Sequence, residues 1–137
     1  MKKKKILIVS AKYYSEISMT MENNAIDCLK KWKGFSIDNP RNNLENVPGV
    51  FEIPVTIAKN IKKYDGFIAL GCVIKGETPH FDFISQASTN AIMELSINSK
   101  KPIGNGIITC LNMKQAIVRK KKGAEAANAV LSVLSQK

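Results

Sequence analysis

Apolar residues in this chain fall into short continuous runs and into longer stretches with helical spacing. Residues 4–10 form a run rich in β-branched side chains, which is typical of a parallel strand buried on both faces. Residues 67–74 carry the strongest strand pattern, residues 103–110 carry another, and residues 44–47 carry a weak one. The pattern therefore predicts four strands.

Helical spacing is clearest in the stretch that follows the first predicted strand. Its apolar residues recur three or four positions apart until Gly34 ends the helix, and they are Ile17, Met21, Ala25, Leu29 and Trp32. Further helices are predicted at 51–63, where Pro54 is tolerated in the first turn, and at 82–99, 113–119 and 123–134. Strands that alternate with helices indicate a parallel sheet with helices on both faces.

The composition is that of a globular protein. The chain has 137 residues, 45% of them apolar and 23% charged, so we predict a single domain over residues 1–137 with a lysine-rich tail at 1–5. No apolar run approaches the ~20 residues of a membrane span, and the run after the tail is too short for a signal peptide. The three cysteines lack the spacing of metal ligands, so we expect a reducing cytoplasm and no metal site. Because no apolar run is long enough to span a membrane, we also expect no membrane partner.

The chain carries a formal net charge of +10, a balance that can indicate nucleic-acid binding. Its lysines are scattered, mostly at or just after the ends of predicted helices, where cations complement the helix dipole. Aromatic side chains are not interleaved with them as they are on base-stacking surfaces. We therefore expect no nucleic-acid partner, and a basic nucleic-acid-binding module is an outlying interpretation. Anionic small molecules would be attracted by the same field.

The richest segment is Leu70-Gly71-Cys72-Val73-Ile74-Lys75-Gly76-Glu77-Thr78-Pro79-His80-Phe81-Asp82, a strand that ends in a polar turn and enters a helix. In open α/β sheets ligands bind beyond the carboxyl ends of the strands, and a helix N-terminus there offers N–H groups to an anion. His80 is the only histidine of the chain and can exchange protons near neutral pH. The segment predicts an enzyme that acts on a small phosphorylated substrate.

Other candidate residues each have a structural interpretation beside the functional one. Glu52 stands in an apolar run, where a carboxylate either faces solvent or binds polar groups. Tyr13 and Tyr14 follow the first strand, where an aromatic ring can stack on a planar ligand or fill the core. Arg119 ends a helix, where a cation is favourable whether or not it holds a phosphate.

Two of these segments match one family closely. Pro48-Gly49-Val50-Phe51-Glu52-Ile53-Pro54 and residues 70–82 resemble the two signature segments of the lumazine synthase family. Gly106-Ile107-Ile108-Thr109 with Gln115-Ala116-Ile117 resembles a third, and Lys122-Gly123-Ala124-Glu125-Ala126-Ala127 resembles the start of the last helix of the family. The resemblance runs from residue 6 to residue 134.

This resemblance implies a flavodoxin-like three-layer α/β/α sandwich around a mostly parallel four-stranded sheet. It also implies a transferase of riboflavin biosynthesis that uses neither a cofactor nor a metal. The reaction condenses 5-amino-6-(D-ribitylamino)uracil with 3,4-dihydroxy-2-butanone 4-phosphate to 6,7-dimethyl-8-ribityllumazine, phosphate and water, and is the penultimate step of the pathway.

The matching motifs imply a role for each site residue. His80 would be the acid–base residue, and Tyr13 would stack on the pyrimidine ring. Val50, Phe51 and Glu52 would hold the ribityl chain and the ring edge, and Cys72, Val73 and Ile74 would contact the ring largely through their backbone. Glu77 and Thr78 would bind the butanone phosphate with Arg119 as its cation. Asn105 stands where the family often has a phenylalanine from a neighbouring subunit, and would offer a hydrogen bond in its place.

The resemblance also implies a homo-oligomer with active sites shared between subunits. The connection 119–123 is several residues shorter than is usual in the family, and longer connections accompany closed sixty-subunit shells. We therefore expect a homopentamer or a pair of pentamers. Two alternative functions on the same scaffold are an archaeal-type riboflavin synthase, which needs no anion cradle, and a non-enzymatic lumazine- or flavin-binding protein, which needs neither His80 nor Arg119.

Overall fold

The structure is a computed structural model that describes residues 3–77 and 79–136. In chain order its elements are β1 Ile6–Ala11, α1 Ser15–Lys31, β2 Leu44–Val47, α2 Ile53–Lys59, β3 Gly66–Ile74, α3 His80–Ser99, β4 Ile103–Cys110, α4 Met113–Arg119 and α5 Lys122–Leu134. Short 3₁₀ turns at Pro40–Asn42 and Val50–Glu52 flank β2. None of the helices described has the length and apolarity that crossing a bilayer requires.

The sheet has four parallel strands in the order β2-β1-β3-β4. Ile8 of β1 lies opposite Leu44 of β2 on one side and Ile68 of β3 on the other. All six residues of β1 are buried, as are the first eight of β3, because helices cover both faces of these central strands. The predicted parallel four-stranded sheet is confirmed.

Two apolar cores form on the two faces of the sheet, because successive residues of a strand point to opposite sides. Ile6 and Ile8 of β1 pack with α1, α4 and α5, whereas Leu7 and Val9 pack with α2 and α3. The arrangement is a three-layer α/β/α sandwich of the flavodoxin-like type, with α1, α4 and α5 on one face and α2 and α3 on the other.

The helix predicted over 51–63 is wrong in its bounds. Residues Val50–Glu52 form a separate 3₁₀ turn, and α2 itself is only Ile53–Lys59. The helix ends at Asn60, whose backbone N–H donates to the carbonyl oxygen of Ile57 and whose side-chain amide donates to that of Thr56. Such capping by asparagine satisfies the last carbonyls and stops the helix.

Helices α4 and α5 are separated by only two residues, Lys120 and Lys121. The α5 helix then packs against α1 at very short range. A Cβ atom built on Gly123 would lie 2.1 Å from the carbonyl oxygen of Met21, so only glycine permits this approach of the two helices.

We predict that Gly123→Ala lowers the free energy of unfolding by about 2–3 kcal/mol, because the added methyl group forces the backbones of α1 and α5 apart. Urea unfolding at neutral pH measures the change. Gly76→Ala is the matched control, since a Cβ atom at Gly76 meets nothing within 4 Å. Equal stability of the two variants would contradict the close approach.

Candidate active site

A cleft of about 630 Å³ opens at the carboxyl edge of the sheet. The strand order places it at the topological switch point, where the chain leaves β1 toward β2 on one side and β3 follows on the other. The residues that line it come from the ends of these three strands and from the start of α3. They are Tyr13, Tyr14, Gly49, Val50, Phe51, Glu52, Cys72, Val73, Ile74, Gly76, His80, Phe81 and Ile84.

Two tyrosines follow β1 and form one wall of the cleft. Their ring centroids are 4.9 Å apart, and the ring planes are tilted by 39°. Tyr13 is 71% exposed, whereas Tyr14 packs against the core below it. Burial raises the pKa of the Tyr14 phenol, so its hydroxyl is neutral and able to donate at physiological pH. Tyr13 thus offers an exposed aromatic surface, and the ring of Tyr14 supports it from the side of the core.

The 3₁₀ turn after β2 forms the opposite wall. Glu52 closes this turn, because its Oε1 accepts the backbone N–H of Gly49 at 3.0 Å. Val50 is buried against β3, where a Cβ atom on Gly71 would lie 2.6 Å from its Cγ2. Glycine at position 71 therefore lets the turn lie directly on the strand, with Phe51 62% exposed beside the cleft.

The end of β3 supplies the floor of the cleft. Cys72 and Val73 are buried and Ile74 is half-buried. Burial, followed by the neighbouring thiol of Cys110, raises the pKa of Cys72 to about 12, so its sulfur is a neutral packing group and not a nucleophile. The N–H of Lys75 donates to the carbonyl oxygen of Cys110 at 2.8 Å and ties the turn that follows β3 to the end of β4.

Helix α3 begins at the mouth of the cleft with His80 as its first residue. Pro79 is its N-cap and makes no side-chain hydrogen bond to the first N–H groups of the helix. Glu77 is exposed in the preceding turn, and Thr78 lies outside the described residues. Because α3 has 20 residues and its amino end faces the turn, the end of this helix favours an anion next to an exposed imidazole.

Asn105 and Arg119 lie elsewhere on the subunit. Asn105 is exposed on β4, the edge strand, where its Oδ1 accepts the N–H of Ile107 at 3.0 Å. Arg119 donates from Nη1 to the carbonyl oxygen of Thr109 at 2.9 Å. Together with Lys121 and Lys122, Arg119 lines a separate basic pocket of about 380 Å³ beside β4. Within this chain, Arg119 and His80 therefore line two different pockets.

Comparison with known proteins identifies the family. Residues 3–137 match the profile of the family described as 6,7-dimethyl-8-ribityllumazine synthase. The chain belongs to this lumazine synthase family. A lumazine synthase of Bartonella bacilliformis is 42% identical over 96% of this chain and 89% of its own length.

Two further relatives align with this chain over almost the whole length of each protein. The lumazine synthase of Bartonella tribocorum is 41% identical over 99% of this chain and 91% of its own. That of Agrobacterium fabrum is 39% identical over 100% of this chain and 97% of its own. All three relatives are named 6,7-dimethyl-8-ribityllumazine synthase. They therefore do not favour the two alternatives, a riboflavin synthase and a non-enzymatic binding protein.

Most residues singled out from the lumazine synthase resemblance meet in the cleft. Those that line it are Tyr13, Val50, Phe51, Glu52, Cys72, Val73, Ile74 and His80. Glu77 lies just outside the lining, Asn105 lies on β4, and Arg119 lies at the end of α4. Within the described ranges, no three histidine, cysteine or acidic side chains lie close enough together to hold a metal ion.

Five residues that line the cleft receive no role from the matching motifs, namely Tyr14, Gly49, Gly76, Phe81 and Ile84. Helical periodicity gives a signal for two of them, because Phe81 and Ile84 lie three apart on the face of α3 that packs against the sheet. Gly49 and Gly76 belong to the turns after β2 and β3, and turns at the carboxyl edge are where such folds bind ligands.

We predict that Cys72 makes the stability of the protein fall above pH 9. The pKa of Cys72 is raised from 9.0 to about 12, so an unfolded chain releases the thiol proton in a range where the folded chain holds it. The free energy of unfolding of the wild type should therefore decrease from pH 8 to pH 10 more steeply than that of Cys72→Ala. Urea unfolding at the two pH values measures this difference, and parallel pH curves would contradict the raised pKa.

Proposed function

We propose that this chain condenses 5-amino-6-(D-ribitylamino)uracil with 3,4-dihydroxy-2-butanone 4-phosphate in the cleft at the switch point. The observation that carries the proposal is that an open aromatic surface, a turn closed by the carboxylate of Glu52 and a histidine at a helix N-terminus meet in one cleft. The free thiols of Cys28, Cys72 and Cys110 support a reducing cytoplasm as its compartment.

The pyrimidine substrate fits the inner part of the cleft. Its planar ring can stack on Tyr13, which presents its face to solvent on the support of Tyr14. The backbone at the end of β3 offers peptide groups along the edge of the ring. The ribityl chain then runs along Val50–Glu52, where Glu52 has one carboxylate oxygen bound to Gly49 and a second oxygen available to hydroxyl groups.

The butanone phosphate fits the mouth of the cleft. Its phosphate would lie against the turn of Glu77 and Thr78 and the amino end of α3, whose N-cap, Pro79, makes no side-chain hydrogen bond to the first N–H groups. We assign its cation to Arg119 of a neighbouring subunit, because within one subunit Arg119 lines a pocket beside β4. A guanidinium group can bind two phosphate oxygens at once. Asn105 of that neighbour would approach the pyrimidine as a hydrogen-bonding group.

His80 is the proton-transfer group of the proposed mechanism. One amine of the pyrimidine attacks the ketone and water leaves, phosphate is eliminated, and the second amine closes the ring on the carbonyl group so formed, with loss of a second water. Each step moves a proton between weak acids near neutral pH, which suits an imidazole at the mouth of the cleft. The positive amino end of α3 and the guanidinium group of Arg119 stabilise the charge that develops on the departing phosphate. Holding two substrates together supplies much of the remaining acceleration.

The assembly we propose is a ring in which each cleft is completed by the next subunit. Two exposed apolar faces support it. One is on α3, where Phe83, Met93 and Ile97 are exposed, and the other lies at the end of β4 and on α4, where Leu111, Met113, Ile117 and Val118 are exposed. Soluble monomers rarely expose patches of this kind, and two different faces that fit each other generate a ring.

A pentamer is the ring we favour. The two-residue connection of Lys120 and Lys121 lacks the extra segment that accompanies closed shells in the family. The net charge of +10 per subunit also opposes the packing of pentamers into a shell. A pair of pentamers is the second assembly consistent with these features.

We predict that His80→Ala slows turnover by about 10- to 100-fold without abolishing it, because proximity of the two substrates remains. The assay mixes both substrates with the protein and follows the absorbance and fluorescence of the lumazine product. Circular dichroism and light scattering verify that the variant is folded and assembled. An unchanged rate would remove His80 from the mechanism, and a wild type that forms no lumazine would overturn the proposed function.

We predict that His80→Ala and Arg119→Ala subunits complement each other. If a site takes His80 from one subunit and Arg119 from the next, random mixing in equal amounts makes about a quarter of the sites intact, because two independent choices must both be right. The two variants are unfolded together in urea, refolded as a mixture, and assayed against each variant refolded alone.

Light scattering on the same samples should give about five or ten times the 15.1 kDa subunit mass. Activity of the mixture no greater than the mean of the separate variants would show that each subunit builds its own site. An active monomer would likewise contradict the shared cleft, and a megadalton particle would contradict the preference for a pentamer.

A further inference from the structure

A buried carboxylate lies behind the wall of the cleft, on the inner face of α1. Glu22 is 7% exposed, and it belongs to a helix that packs against the sheet. Its Oε2 accepts the hydroxyl of Ser10 at 2.6 Å and also accepts from the ammonium group of Lys12. Ser10 is fully buried and Lys12 is partly buried, so this is an ion pair with one hydroxyl, largely withdrawn from water.

The same face of α1 makes a second connection to β1 one helical turn earlier. The hydroxyl of Ser18, four residues before Glu22, donates to the carbonyl oxygen of Ala11. On the other side, the backbone N–H of Lys12 donates to the carbonyl oxygen of Val47 at 2.9 Å. The last residues of β1 are therefore held from α1 by side chains and from β2 by the backbone.

The held residues lead directly into the aromatic wall. Tyr13 follows Lys12 in the chain, and Tyr14 follows Tyr13, before α1 begins at Ser15. Glu22 and Lys12 lie outside the set of described residues that line the cleft. They consequently act on a bound molecule only through the turn that they hold.

We propose that Glu22 is a positioning residue for the pyrimidine substrate, acting through Lys12 and Ser10 on the turn that carries Tyr13 and Tyr14. The inference rests on the proposed binding of the pyrimidine against Tyr13. The Tyr13 ring is largely exposed, so few packing contacts restrain it and its placement depends on the backbone of residues 12–14. The ion pair fixes that backbone at Lys12 before the substrate arrives.

An ion pair in this space contributes little net stability, so its geometry is the feature that distinguishes it from an apolar pair. Removing water from two charges offsets much of their attraction, and apolar side chains of similar volume often stabilise a fold equally well. An apolar pair in the same space would have no directional bond between α1 and residue 12. The directional bonds of Glu22 thus serve the position of the turn more than the stability of the fold.

The test replaces the whole pair by apolar side chains in the double variant Lys12→Met/Glu22→Leu, which leaves no unpaired buried charge. We expect the KM for the pyrimidine substrate to rise about tenfold, because the aromatic wall loses its fixed position. The maximal rate and the KM for the butanone phosphate should stay within about threefold of the wild type, since neither depends on Tyr13. Fluorescence titration with the lumazine product should show the same loss of affinity.

One conservative variant and one distant control separate positioning from stability. Glu22→Gln keeps an acceptor for Ser10 and Lys12, so it should retain most of the affinity for the pyrimidine substrate that the double variant loses. Asn43→Leu disrupts another buried polar contact, the bonds of its amide to Asp38 and to the carbonyl oxygen of Asn39, at a site away from the cleft. It should lower stability without changing either KM.

Tyr13→Ala distinguishes a failure of this inference from a failure of the proposed binding mode. If Tyr13→Ala raises the pyrimidine KM and the double variant does not, Glu22 has no positioning role. If Tyr13→Ala also leaves the KM unchanged, the binding mode itself is wrong. A rise of both KM values together in the double variant would mean a general loss of structure and would overturn the inference as well.

Discussion

The arrangement of the whole molecule depends on burial of β1 and β3 on both faces. Two adjacent parallel strands without polar side chains facing water require helices above and below them, and the alternate residues of each strand then feed two separate cores. The two remaining strands lie on opposite sides of this central pair, β2 beside β1 and β4 beside β3. The cleft at the carboxyl edge is a consequence of that split, because loops diverge there and leave space between them.

Little in the cleft is supplied by unusual side chains. The floor is the end of a buried strand, one wall is a turn closed by Glu52, and the other is a pair of tyrosines whose rings are in contact. The cysteine in the floor is neutral because burial raises its pKa. The cleft thus offers shape and peptide groups more than charged side chains, and the imidazole of His80 at its mouth suits the proton transfers of the proposed condensation.

The fold of one subunit also explains why the proposed chemistry needs a neighbour. Arg119 is separated from His80 because α4 follows β4, the edge strand farthest from β2, whereas the cleft lies at the β1–β3 junction. The exposed apolar residues of α3 begin at Phe83, in the first turn of the helix that starts at the cleft, and those of α4 lie in the same helix as Arg119. Contact between these two faces on different subunits would unite the cation with the histidine while it covers apolar surface.

The sequence by itself determined the strands, the positions of most helices and the segments that meet at one edge of the sheet. These features repeat with a period of two or about 3.6 residues and end at glycine or proline, so local composition is enough to find them. Tertiary structure alone decided that α2 stops at Asn60, that Arg119 and Asn105 lie away from the cleft, and that Glu22 pairs with Lys12 and Ser10. Each depends on how distant segments approach, and a polar residue on the inner face of a helix has no sequence pattern that names its partner.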